Sequence, residues 1–180
     1  PGNQGDAILW GQALGAGMRH LGSYQGHGSV SHPHGILISW ALMMEGGIQL
    51  NSMGQRFSNE HDGYSEQARR VLKQPGGLAW DVFDDRQRKI VAEFEDFKQA
   101  EALGAVLKAE TIAELATIIG APEATVAKTL DKISKFSTGH EQDPFNRDFH
   151  NKPTLRPPYY AVKVTGSLFH TQGGISVDSA

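Results

Sequence analysis

Apolar residues recur at helical spacing in some stretches of this chain and run together or alternate in others. Asp6 precedes Ile8, Leu9, Trp10, Leu14 and Met18, which predicts a helix with Asp6 as N-cap and Gly11 and Gly15 along it. Residues 22–35, rich in Gly, Ser and His, read as a loop. The run ILISWALMM at 36–44 is a buried strand or a helical turn, and its periodicity does not separate the two. Residues 47–51 read as a strand and 55–59 as its hairpin mate, with Gly54 supplying positive φ in the turn. A short helix over 64–73 places Ala68, Val71 and Leu72 inward, and Pro75-Gly76-Gly77 breaks it. Residues 78–83 form a strand, and Asp84 caps a helix over 85–102 with Ile90, Phe94 and Phe97 on one face. Thr111 and Glu114 form a capping-box pattern, Gly120 ends that helix, and Pro122 opens the next, with Val126, Leu130, Ile133 and Ser137 on one side. After an irregular polar segment at 138–158, residues 159–165 and 168–171 read as two strands joined by a turn at Gly166-Ser167.

Hairpins, then helices, then a hairpin make an α+β fold, with a small sheet of hairpins packed against helices. The 180 residues suffice for one good-sized domain or two small ones. Charged residues are 21% and hydrophobic ones 39%, a globular balance. The net charge of −3 gives no reason to expect nucleic acid as a partner, and no apolar run approaches the ~20 residues that span a bilayer. The absence of cysteine excludes disulfides, Cys-zinc sites and thiol nucleophiles. There is no secretory signal pattern, which in a fragment says nothing about export; the compartment stays open, with cytoplasmic favoured. The start at Pro1 and the stop after Val177-Asp178 suggest a piece of a longer chain. Glycine, 21 of 180 residues, points to tight turns or close approach of backbone to a ligand.

Few residues carry chemistry on spacing alone. His27, His32 and His34 cluster, yet their spacing matches no zinc pattern, and no metal site is expected. His170 ends a strand in HTQGG, where the glycines let a ligand approach; a structural hydrogen bond is the commoner role for such a residue. Tyr64 reads as a partly buried tyrosine and Tyr159-Tyr160 as strand aromatics. Glu93, Glu95, Asp96 and Lys98 read as a solvated helix face. No GxGxxG or P-loop pattern is present.

Four segments in order carry more. GNQGDAILWGQALGA (2–16), GGIQLNSMGQRFSNE (46–60), TIAELATIIGAPEATVAKTLDKISKF (111–136) and PPYYAVKVTGSLFHTQGG (157–174) resemble the FAD-dependent fumarate reductase / succinate dehydrogenase flavoproteins, which include ketosteroid and tricarballylate-type dehydrogenases. The resemblance implies an FAD domain interrupted by a capping domain, and this chain looks like that cap with its junctions. It implies a division into 1–35, leaving the missing FAD domain; 36–165, the cap and substrate domain; and 166–180, returning toward the FAD domain. FAD is the implied cofactor, a small molecule the implied substrate, and the fragment alone is expected to be inactive. Gly5, Asp6, Thr171, Gly173 and Gly174 match positions near the flavin. Gln25 and His27 match the substrate-lining stretch, although a gapped alignment uses His32 instead. His170 matches a histidine that holds substrate and takes part in catalysis.

The departures bear on the reaction. Where fumarate reductases place an arginine proton donor, this chain has Tyr64, and their upstream Glu and Arg proton path falls on Trp40 and Met43. The ketosteroid dehydrogenases resemble this chain at Tyr64, where a tyrosine removes a substrate proton, but tend to lack the histidine at His170. The expectation is a dehydrogenase or reductase acting at a CH–CH or C=C bond with Tyr64 as proton-transfer residue. A fumarate-like dicarboxylate reductase and an independent, non-catalytic binding domain are the alternatives.

Overall fold

Burial on both faces of one antiparallel sheet organises the chain. The computed structural model describes residues 4–150 and 152–178, so Gly2 and Asn3 of the first family-like segment lie outside the described residues. The elements in order are α1 (Asp6–Ala13), β1 (Met18–Arg19), β2 (Tyr24–Ser31), α2 (Ala41–Met44), β3 (Ile48–Leu50), α3 (Tyr64–Leu72), β4 (Leu78–Asp84), α4 (Asp85–Val91), α5 (Glu95–Ala102), β5 (Val106–Ala109), α6 (Ile112–Ile119), α7 (Glu123–Ser137), β6 (Tyr159–Thr171) and β7 (Gly174–Ile175). The main sheet has the order β2-β6-β4-β3, with β5 pairing the lower half of β6; β1 and β7 form a separate two-stranded ribbon. The fold is α+β, as expected.

Both faces are apolar because residues alternate across the pleat. Trp80 and Val82 of β4 join Tyr159 and Ala161 of β6 under α6 and α7, where Leu115, Ala116, Ile119, Val126 and Ile133 are buried. Ala79, Phe83, Tyr160, Val162 and Val164 pack on the opposite side with Trp40, Leu42, Val71, Val91 and Phe97. The 36–44 run contributes Ile36 and Ile38 from an irregular stretch and Trp40 as the N-cap of the single turn α2.

Several expectations are corrected. The glycine-rich stretch is no loop: residues 24–31 are β2, because α3 lies directly on it. A Cβ at Gly28 would collide with the Gln67 backbone, and one at Gly166 with the Ala68 carbonyl, so loop-like composition here serves close helix-on-sheet packing. For the same reason Gly166-Ser167 does not turn, and β6 runs unbroken to Thr171. β6 runs through 165/166, with β2 paired to it on both sides of that position. Residues 55–59 form no strand. The Asn51–Gln55 turn closes with Gly54 at φ 75, but β3 takes β4 as its partner. The helix expected over 85–102 is two, α4 and α5. Phe94, extended, caps the second and stays half-exposed with Ile90, while the break lets Val91 and Phe97 reach one core cluster. Leu72 also faces solvent. Asp6 is the first helical residue of α1 rather than its cap, which is Gly5, and Met18 lies in β1. Thr111 does cap α6, but Glu114 turns back to the Glu110 amide.

The segment at 138–158 is irregular, as read, and a buried ionic cluster fastens it. Arg56 pairs with Glu60 (2.6 Å) and Asp143 (2.7 Å), and Arg147 with Glu60 (3.0 Å); all four side chains are at most 4% exposed. The cluster also covers the free edge of β3: Glu60 accepts from the Gln49 amide, and Arg147 donates to the Gly47 carbonyl. Burial alone would push the Glu60 carboxyl up; Arg56 and Arg147 outweigh it and hold it down at about 2.

α1 differs from the rest. None of its residues is buried, and Leu9, Trp10 and Leu14 are 59%, 69% and 88% exposed.

Candidate active site

The candidate residues meet where α3 crosses the upper halves of β2 and β6. Tyr64 opens α3, and the Ser65 hydroxyl accepts from the Gly26 amide, fastening the helix start to β2. The Gln25 side-chain amide donates to the Tyr64 phenol oxygen at 2.7 Å. The His27 ring stacks on Tyr64, with centroids 4.9 Å apart. Across the ladder Gln25 pairs with His170, but Gly26 pairs with Leu168, so Phe169 is the extra residue of a β-bulge. The bulge turns Phe169 edge-on to both His27 (5.3 Å) and Tyr64 (6.1 Å), while the exposed His170 ring lies against Phe169 at 3.9 Å.

His27, Tyr64 and Phe169 line a cavity of about 390 Å³. Its walls include Leu37, Trp40, Phe94 and Phe97 besides His27, Tyr64 and Phe169; Ser39, Glu95 and Asp96 are its other polar members. No lysine or arginine is among the described lining residues. The indole N–H of Trp40 is buried with no hydrogen-bond partner, a cost that a ligand acceptor would relieve.

Burial lowers the pKa of His27 to about 4, so its ring is neutral near neutral pH. The Ser29 amide donates to His27 Nδ1 at 3.1 Å, which leaves the proton on Nε2. Behind His27 lies a second polar network. Asp81, fully buried on β4, accepts from the Ser29 hydroxyl and from Gln49 Nε2 (2.7 Å). Gln49 in turn accepts from Gln67 of α3 at 2.8 Å, and Gln67 exchanges hydrogen bonds with Ser58. Among the described residues no cation pairs with Asp81; burial, reinforced by the like charge of Glu60, raises its carboxyl to about 7 against the pull of its two donors.

The residues expected at a flavin stand apart from this cluster, toward the β1–β7 ribbon. Thr171 is exposed at the last rung of the β2–β6 ladder, opposite Tyr24. A Cβ on Gly174 would meet nothing, so the backbone there is open to a ligand. Gly173 has another reason to be glycine: a Cβ would overlap the His20 carbonyl. Gly5, at φ 83, caps α1, and Asp6 is exposed beside it. His32, the alternative to His27, is exposed beyond the end of β2 and is not a cavity residue. Among the described residues no group of three or more His, Cys, Asp or Glu could hold a metal, and no helix is long and apolar enough to cross a membrane.

Sequence reasoning missed Phe169, Glu95 and Asp96 as cavity residues, and Asp81, Gln49 and Gln67 behind them. The one legible signal was Asp81, a lone carboxylate inside an apolar strand pattern.

The whole chain, residues 1–180, matches the family described as FAD binding domain. A probable fumarate reductase of Shewanella frigidimarina is 30% identical over 97% of this chain and 29% of its own length. The 4-oxocyclohexanecarboxylate 2-dehydrogenase of Sinomonas cyclohexanicum is 27% identical over 100% of this chain and 37% of its own. The open conformation of a flavocytochrome c3 fumarate reductase superposes with a TM-score of 0.78 at 30% identity, over 97% of this chain and 30% of that one. The chain thus spans about a third of the length of such relatives.

Proposed function

The chain belongs to the FAD binding domain family, an oxidoreductase family whose cofactor is FAD, and we propose that within it this chain is the cap that closes over flavin and substrate for dehydrogenation or reduction at a CH–CH or C=C bond. Three observations support the cap reading. The chain corresponds to about a third of its relatives, it carries no glycine-rich phosphate fingerprint, and Leu9, Trp10 and Leu14 of α1 are exposed. On this reading residues 24–171 form the cap body, and the α1–β1 and β7 segments lead toward the cofactor-holding part of the same polypeptide.

The observation that carries the activity is the stacking of His27 on Tyr64 in one aromatic cavity, with Gln25 bonded to the Tyr64 oxygen. Bound FAD would supply the two-electron acceptor or donor. Tyr64 is the proton-transfer residue: Gln25 holds its oxygen as a hydrogen-bond acceptor, which leaves the phenol proton free to point toward substrate. Neutral His27 presents Nε2–H to a substrate oxygen, and the Trp40 indole N–H is a second donor at the same wall. His170, at the rim, meets substrate where the cap approaches the flavin. Thr171 and Gly174 would border the cofactor, and the aromatic walls would exclude water on closure.

A cavity without lysine or arginine and with Glu95 and Asp96 at its side favours an uncharged carbonyl compound over a dianion. Dicarboxylate reduction is the second reading; the 30% identity to a probable fumarate reductase favours it. Stopped-flow flavin kinetics on the full-length protein with cyclic ketones and with fumarate separates the two. In the same assay Tyr64→Phe is expected to slow the chemical step by at least ~10²-fold. Unchanged turnover would remove Tyr64 from the reaction.

A further inference from the structure

We propose that Asp81 is a positioning residue for the cavity: through Ser29 and Gln49 it holds the backbone that fixes the His27 tautomer, and through Gln49 and Gln67 it seats the helix that carries Tyr64. The proposal rests on the reading of the cavity as the active site, though its primary test does not.

The argument starts from donors. Two hydrogen-bond donors, the Ser29 hydroxyl and the Gln49 amide, converge on one point inside the sheet. Gln49 and Asp81 are cross-strand partners, so the register of β3 on β4 sets this meeting. The ionised carboxyl accepts from both donors, one on each oxygen; an asparagine would turn an N–H toward one of them. Apolar residues would fill the same space without a desolvated charge, so packing alone gives no reason for Asp81.

What the network holds is specific. Ser29 supplies the amide that occupies His27 Nδ1. Gln49 Nε2 also donates to the Gly28 carbonyl at 2.9 Å, so residues 28 and 29 are both held from behind. The other end of Gln49 accepts from Gln67, which lies three residues beyond Tyr64 on α3. One buried carboxylate thus fixes the two rings that stack on each other in the cavity. Asp81 touches neither, and acts through them.

The test uses full-length, FAD-loaded protein labelled with nitrogen-15 histidine, with the His27 signals assigned by their loss in His27→Asn. The wild type is expected to show one tautomer, Nδ1 bare and Nε2 protonated. Asp81→Leu is expected to give a mixture of tautomers and about a tenfold fall in kcat for flavin reduction, with KM changed less. Ser29→Ala cuts the same link from its far side and is expected to mix the tautomers even if the Asp81 variant does not fold. Ser58→Ala, at the remote end of the network, should leave the histidine spectrum untouched, which separates positioning from general loosening. A single Nε2–H tautomer persisting in folded Asp81→Leu or in Ser29→Ala overturns the proposal. Full turnover in Tyr64→Phe would instead remove the catalytic reading and leave the tautomer result standing.

Discussion

Two buried polar clusters lie on opposite sides of Gln49 and obey different rules. In the first, Arg56, Arg147, Glu60 and Asp143 balance two positive charges against two negative ones. In the second, Asp81 stands among neutral hydroxyls and amides with no cation. The balanced cluster fastens an irregular segment to a sheet edge, and the Glu60 carboxylate in it stays ionised. The unbalanced one backs the cavity, and its carboxylate titrates near neutrality. Compensated charge behaves as a staple, whereas uncompensated charge keeps a proton within reach of solution pH.

The largest expected effect breaks the staple. Arg147→Met removes one of the two guanidiniums that hold Glu60 and strips a partner from the Gly47 and Met43 carbonyls. A loss of about 3–5 kcal/mol is expected, read as a lower urea midpoint at unchanged slope. A loss below about 1 kcal/mol would mean that the cluster is no staple.

The contrast sharpens when pH is varied. Glu60 is held at about 2, below its ordinary 4.5, so its contribution is present above 4.5 and is lost as pH falls toward 2. Asp81 is raised from 3.8 to about 7, so the folded chain holds a proton that the unfolded chain has released between those values. Its effect therefore runs the other way: stability declines as pH rises from about 4 to about 7. Glu60 and the two donors from Ser29 and Gln49 are the groups that act on Asp81; His27, held at about 4, loses its own proton low in that window. Because burial depresses His27, its linkage opposes that of Asp81 and is spent by about pH 6.5. Asp81→Asn is expected to flatten the decline approaching pH 7, measured by urea unfolding across pH. An unchanged slope would assign that decline to another group.

The smallest effect lies at the join of helix and network. Ser58→Ala is expected to cost about 1 kcal/mol, because Gln67 keeps its bond to Gln49.

Helix α7, strand β4 and the caps at Asp84 and Thr111 were legible because local pattern and tertiary role agree there. Residues 24–31 were not, since Gly26 and Gly28 carry a turn-like composition whose cause is a helix forty residues downstream. The pairing of β3 with β4 was hidden for a similar reason: a true turn at Gly54 follows β3, but an ionic cluster rather than a strand takes up its edge. At the site, Tyr64, Gln25 and His27 were found by resemblance and then proved to be neighbours. Phe169 was invisible because only the bulge, a property of the pairing, aims it inward.

The length of β6 has a mechanical consequence. Paired with β2 from Val164 to Thr171 except at Gly166 and the Phe169 bulge, and with β4 and β5 below, it spans roughly 40 Å at ~3.3 Å per residue. Bending within it would break ladder bonds to β2, β4 or β5. Any swing of the body relative to the ribbon must therefore pivot at residues 20–23 and 172–173, where one bond, from the Gln172 amide to the Ser23 carbonyl, follows the last rung. The rim histidine sits two residues from that axle, so the smallest rotation there moves it least and the far walls of the cavity most.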